Sequence, residues 1–317
     1  MAVVTRYLKP VGGVDTYTSI DAWQAGEQTD LVTPGDTHVL ECHTGTYEGS
    51  TLISGWTTSP SNNITIKAAA GHEHNGVFGA GVLLQSSMVS AGVFTLQNDV
   101  GLTGLCLESR GATNGSCLLV SIGSTHRSLL VRRTGAADSV AGFSGFQPAA
   151  FYNCIFENFY KNFNLGNTTT CYNCTSIGGV YGGFVLDVAN TPLTNCVAFG
   201  SSGGDFLLNK APATIIGSGN ASEDGSAGGT APITGVTTAD FYNYAGGDYR
   251  PVIGGVLDGV GTDLSGTFTD DVSGATRATW DIGAWIAVAA PPSGGGGGPS
   301  RAVAYSLVTR VAADIMS

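Results

Sequence analysis

Tyr152-Asn153-Cys154-Ile155-Phe156, Tyr172-Asn173-Cys174-Thr175-Ser176 and Thr194-Asn195-Cys196-Val197-Ala198 are three copies of one phrase. Their cysteines step by 20 and then 22 residues. A backward step of 24 reaches Leu130, and another 24 reaches Cys106. A second column keeps the same rhythm. Phe206, Phe184 and Phe163 step by 22 and 21, and backward steps of 23 land on Val140, Cys117 and Phe94. Self-similarity at a fixed period marks a repeat architecture.

Strand geometry says which one. Side chains alternate across a strand, so one parity faces inward. A unit of roughly twenty residues holds two or three short strands and their turns, and stacked units pair each strand with its copy about 4.8 Å away. One unit cannot bury its own inner face, so several must stack. The columns predict an all-β chain folded as a right-handed parallel β-helix. Cys106, Cys154, Cys174 and Cys196 are expected as buried free thiols in one line. A propeller or sandwich would need hairpin turns between antiparallel runs; Asn75-Gly76 and Asn114-Gly115 lie outside the columns.

Composition agrees. Of 317 residues 48 are Gly and only 12% are charged, which suits short strands joined by many turns and disfavours exposed helices. The net charge is −11, with no Lys/Arg cluster, so neither nucleic acid nor an anionic membrane surface is an expected partner. No apolar run has the length of a membrane span. The N-terminus lacks the basic-then-apolar pattern of a secretory signal, and folding in a reducing cytoplasm is expected. Cys171 and Cys174 form a CxxC without a second ligand pair, which reads as alternating strand positions ahead of a zinc or redox site.

The order of segments follows. Residues 1–35 read as an N-terminal arm and helical cap: Ser19 opens a capping-box-like start, and Ile20 and Trp23 share a face that plugs the end of the stack. Residues 36–235 form the β-helix, with His38–Cys42 and Asn63–Lys67 in its first coils. Residues 236–288 form a C-terminal cap, and 289–300 a Gly/Pro linker. Residues 301–317 are an apolar tail in which Val303, Leu307, Val311 and Ile315 recur every four residues, as on one helical face. Val303, Tyr305 and Leu307 equally suit one face of a strand, and a disordered end is the plain alternative. Val303, Tyr305, Leu307, Val308, Arg310 and Val311 are the expected partner-binding residues, with residues 1–14 as the rival anchor.

Two stretches carry a resemblance. Tyr17-Thr18-Ser19-Ile20-Asp21-Ala22-Trp23 ahead of the coils resembles the opening of bacterial and bacteriophage β-helix proteins. Asp248-Tyr249-Arg250, Thr269-Asp270-Asp271-Val272-Ser273-Gly274-Ala275-Thr276-Arg277 and Asp281-Ile282-Gly283-Ala284-Trp285 resemble the C-terminal motif of pectate-lyase-like β-helix repeat proteins. Ile286 stands where that motif has an acid. The resemblance implies the fold, and with it a face on which relatives carry polysaccharide lyases or hydrolases.

The residues for such chemistry are sparse. Hydrolysis needs two carboxylates on either side of a bond, and a lyase needs a calcium-binding acidic cluster with a base. Asp187 reads as a turn residue, and Asp205 is out of phase with it. Glu108 and Arg132 stand 24 apart and suit a salt bridge between adjacent coils. His72-Glu73-His74 lacks further metal ligands and reads as a polar loop. Asp270-Asp271 lies inside the closing motif, the acidic stretch 223–281 has no EF-hand spacing, and no nucleophile elbow is present. No catalytic residue, cofactor or metal is therefore expected. The sequence points to a non-enzymatic virion surface protein of a bacteriophage, a capsid decoration or fibre-like subunit assembled in the host cytoplasm. Its expected partners are capsid or tail subunits, further copies of itself and a surface glycan. A polysaccharide lyase or depolymerase and a bacterial surface adhesin are the competing readings.

Overall fold

A computed structural model describes residues 2–87, 93–111, 116–120, 122–135, 139–145, 148–166 and 169–291. Three parallel sheets of ten, nine and seven strands are built from residues 3–234, and strands pair with their copies one coil away. The third sheet counts the complete coils, from Thr51–Ile53 to Phe206–Leu208. This is a parallel β-helix of seven coils.

The inward parity of each sheet supplies the core. In the first sheet it runs Leu40, Ile66, Leu102, His126, Phe151, Cys171. In the third it runs Phe94, Leu118, Phe143, Phe163, Phe184, Phe206. Phe163, Phe184 and Phe206 stack with ring centroids 4.6 and 5.0 Å apart, because parallel in-register strands place equal side chains above one another.

Each coil turns from the first sheet to the second on a single left-handed residue. Gly104, Ser128, Asn153, Asn173, Asn195 and Gly219 all have φ between 49° and 70°. Asn tolerates that region better than other non-glycine residues, which explains the Asn half of the repeated phrase. The residue after each corner points inward: Leu105, Leu129, Cys154, Cys174 and Cys196 are all fully buried.

Two expected registers are corrected here. Leu130 pairs with Ile155, not with Cys154, so the thiol line continues into Leu129 and Leu105. Cys106, paired with Leu130, faces outward and is buried beneath the C-terminal segment beside Val272 and Ala284. Likewise Phe163 pairs with Phe143 and Phe143 with Leu118, so Val140 and Cys117 are core residues outside the Phe column. In both cases a constant step was carried across coils of unequal length.

At the N-terminal end Ile20–Glu27 forms a helix whose Ser19 hydroxyl accepts from the Ala22 amide at 3.1 Å. Ile20 and Trp23 are buried, and Trp23 stacks on Trp56 at 5.3 Å. Val3–Leu8 is a strand of the first sheet, parallel to Thr37–Cys42. The C-terminal segment does its capping along the side of the stack. Val236, Phe241, Leu257 and Ile282 cover Ile177, Val197 and Phe199 on the outer face of the second sheet. Val272, Ala284 and Trp285 then continue over Ile155, Leu130 and Cys106.

The corner asparagines hold this segment down. Asn173 donates to the carbonyls of Asp281 and Gly283 at 2.8 and 2.9 Å. Asn195 donates to Thr262 and Asn153 to Asp270. Gly283, at φ +95°, lies so close to the sheet that a Cβ would stand 2.9 Å from Thr175 and Val197. The closing motif is therefore a docking strip cut to fit the corner row.

Candidate functional site

The outer face of the second sheet lines up opposite charges in one row. Strand register places Glu48, Gln85, Glu108, Arg132 and Glu157 on consecutive coils. Arg132 donates from Nε and Nη2 to Glu108 Oε1 at 3.2 and 3.1 Å. Arg110 donates from Nε to Glu108 Oε2 at 2.6 Å and reaches Glu48 at 3.7 Å. The Gln85 amide donates to Glu48. Glu108 thus sits between two guanidinium groups, the charge-assisted arrangement that ionised carboxylates favour. The expected Glu108–Arg132 bridge is present.

Glu157 extends the row under the C-terminal segment. Burial pushes its carboxyl up from the ordinary range, while Arg132 and hydrogen bonds from Tyr249 and Asn158 act against that shift. The Arg132 guanidinium lies 3.7 Å from the Phe78 ring centroid, a cation–π contact. Phe78, Ile155, Glu157, Tyr249 and Trp285 line a small open pocket of about 30 Å³. Gly76 is required there, since a Cβ would collide with the Trp285 ring.

Glu157 was not legible as part of the row. A step of 24 from Arg132 lands on Phe156, which faces inward; the true step is 25.

The row has some of the ingredients of acid–base chemistry but not their arrangement. Glu108 and Glu157 are two coils apart, roughly 9.6 Å at the sheet spacing, near the upper limit for an inverting carboxylate pair. Arg132 stands between them where a substrate atom would have to lie. The pocket is water-sized. Each carboxylate is already engaged by groups of its own chain.

The remaining candidates have structural employment. Asp187 accepts from Asn209 and Lys210 at 2.7 and 3.1 Å. Asp205 is buried, accepts from the Ser201 and Glu223 amides, and is pushed up by desolvation. His74 is buried; its Nδ1 accepts from the Gly76 amide at 2.8 Å, so Nε2 carries the proton donated to Ser128 O. His72 Nδ1 accepts from the Thr44 amide. Asp271 accepts from the Ser273, Ala275 and Ile286 amides.

All seven cysteines are buried and free. Cys154, Cys174 and Cys196 rise in one line, the outer two roughly 9.6 Å apart by backbone spacing, too far to share one ion. Among the described residues no group of three or more His, Cys, Asp or Glu is arranged to hold a metal, and no helix is long and apolar enough to cross a membrane. Val303, Tyr305, Leu307, Val308, Arg310 and Val311 lie outside the described residues.

One core residue escaped the sequence reading. His126 occupies the inward column of the first sheet, fully buried against Phe151 with centroids 4.9 Å apart. Neither ring nitrogen has a hydrogen-bond partner, and desolvation pushes its pKa down to about 3. Strand alternation on Ser124–Arg127 was the available signal.

No family model matches the chain, and no curated protein matches it. Among solved structures it is similar to one described as the crystal structure of pectate lyase Pel9A. The two are 14% identical over 91% of this chain and 97% of that one, with a TM-score of 0.41. By its own three parallel sheets and seven coils, the chain is a parallel β-helix.

Proposed function

We propose that the chain is a non-catalytic structural protein of a bacteriophage virion surface, a capsid decoration or fibre-like subunit joined to capsid or tail proteins through a terminal peptide. The observation that supports this reading is the self-sufficiency of the charged row. A catalytic carboxylate needs a face open to substrate. Glu108 instead spends both oxygens on Arg110 and Arg132, and Glu157 is roofed by Tyr249 beside a water-sized pocket. What the row builds is a brace between successive coils, tied at Glu157 to Tyr249 of the C-terminal segment. Seven buried free thiols suit assembly in a reducing host cytoplasm.

Mass spectrometry of purified particles tests the proposal. A fixed copy number relative to the major capsid protein is expected. Absence from particles counts against it. So does release of unsaturated or reducing ends from a polysaccharide by the purified protein, lost on Glu157→Gln, which would install the depolymerase reading.

A further inference from the structure

Exposed aliphatic surface gathers where the described chain leaves the body. Ile253, Val256 and Val260 are 59%, 42% and 52% exposed on one turn of the C-terminal segment. The turn is held from within. Leu257 is fully buried in the cluster over Ile177, Val197 and Phe199. The Gly255 and Asp258 amides donate to the Val252 and Gly255 carbonyls at 2.9 and 3.2 Å, and the Gly254 amide donates to Asp258 Oδ2 at 2.8 Å. With Leu257 inward and the backbone tied, the three aliphatic side chains stay outward.

The exit point lies against this turn. Val288 pairs in parallel with Val252; its amide donates to Pro251 O and its carbonyl accepts from the Ile253 amide, both at 2.8 Å. Residues 289–291 are exposed. Twelve residues, 289–300 with five consecutive Gly among them, separate Val288 from Arg301. A flexible chain of that length spans about 17–21 Å. The apolar peptide 301–317 is therefore presented to the turn at an effective concentration on the order of millimolar.

From the place of this tether we infer that, in the free subunit, residues 301–317 dock on the Ile253–Val260 turn of their own chain. Val303, Leu307 and Val311 on one side and Ile253, Val256 and Val260 on the other lose water-exposed apolar surface in that contact, which neither side achieves alone. Charge favours the same pairing. Arg301 and Arg310 stand against the single acid Asp314 in the peptide, and Asp258 and Asp263 lie in and beside the turn. A second body of net charge −11 is repelled where this peptide is not. The docking deepens the anchoring role proposed above. The peptide is held in reserve, and a particle surface gains it only by binding it more tightly than the turn does.

Trypsin reports the contact on the purified full-length chain, through the rate at which cleavage after Arg310 releases residues 311–317. Docking predicts a rate at least about tenfold below that of a synthetic peptide of residues 299–317, some 1.4 kcal/mol. The protection should persist on dilution. Ile253→Asp with Val256→Asp should restore the peptide's rate and leave the melting temperature in place, since both side chains are exposed. Val260→Asp serves as the second variant if that pair does not fold. Leu52→Asp, 55% exposed on the third sheet, should leave the protection intact. Wild-type cleavage as fast as in the peptide overturns the inference. So does protection that survives the turn variants, which would move the peptide to another surface, or protection that fades on dilution, which would move it to a second copy. No particle enters the measurement, so failure here leaves the virion reading standing, and absence from particles leaves the docking standing.

Discussion

Arg277 Nη2 donates to Asn153 Oδ1 at 3.3 Å, across 124 residues of sequence. The same guanidinium donates to the carbonyls of Asp270, Gly283, Ala284 and Trp285. A buried cation held by neutral oxygens, with no carboxylate in direct contact, is a spatial organiser. Arg presents five donors in a fixed fork, which Lys cannot reproduce. The closing motif folds around this fork, and the fork is pinned to a corner residue of the stack.

Removing it should release the segment without unwinding the coils. Arg277→Met leaves several buried carbonyls unpaired, so a loss of about 3 kcal/mol or more is expected in urea unfolding. Arg277→Lys should recover less than half. Amide exchange should rise across residues 257–286 first. An unchanged unfolding midpoint for Arg277→Met would mean that the apolar contacts alone hold the segment.

His126 predicts a direction with pH. Its folded pKa of about 3 lies below the unfolded value near 6.5. The unfolded chain therefore binds the extra proton, and the stability associated with neutral His126 is full above pH 6.5. It falls as the pH drops toward 3, by up to about 4–5 kcal/mol. Buried carboxyls such as Asp205, pushed up by desolvation, act in the opposite sense, so the variant isolates the histidine. His126→Leu should flatten the acid limb of a melting-temperature profile. A profile that keeps the wild-type slope would show that acid unfolding starts elsewhere.

The thiols give a sharper count. Burial pushes Cys106 and Cys117 up to about 12 and raises Cys42 further, and the thiolate is the reactive form. No cysteine should titrate with a disulfide reagent in the native state, and all seven should in denaturant. Early labelling of Cys106 alone would mean that the C-terminal segment lifts off, since that segment covers it.

These sites also mark how far the sequence could be read. From Asn153 onward the coils are nearly equal, and Cys154, Cys174, Cys196 and the three late phenylalanines fell into place by counting. Earlier, the Phe column steps by 24 and 25 residues from Phe94 to Leu118 to Phe143, against 20, 21 and 22 from Phe143 to Phe206, the difference lying in the connections between strands. Coil length varies in such connections without disturbing a strand, so a fixed step slips by one to three residues. A slip of one reverses the face, which is how Cys106 was placed inside and Glu157 overlooked. The side-on course of the C-terminal segment had no periodic signal. It is held by asparagine amides on backbone carbonyls, and carbonyls have no letter in a sequence.

The anchoring prediction follows from what the two ends are built into. The first strand, Val3–Leu8, is paired along its whole length with Thr37–Cys42, and Leu8 is fully buried. Deleting residues 1–14 would strip a strand from the first sheet, so lost assembly after that deletion would report damage rather than an anchor. Val11 and Val14, 79% and 90% exposed, allow a cleaner trial. If the N-terminal end is the anchor, Val11→Asp with Val14→Asp should abolish assembly without moving the melting transition. If the tail is the anchor, that pair is neutral and Leu307→Glu with Val311→Glu abolishes it. An apolar peptide gains from a partner the burial that offsets its ordering entropy, and a buried glutamate reverses that gain. Co-sedimentation of each variant with particles lacking the protein decides between the ends. Full occupancy by the tail variant would remove Val303, Tyr305, Leu307, Val308, Arg310 and Val311 from the interface.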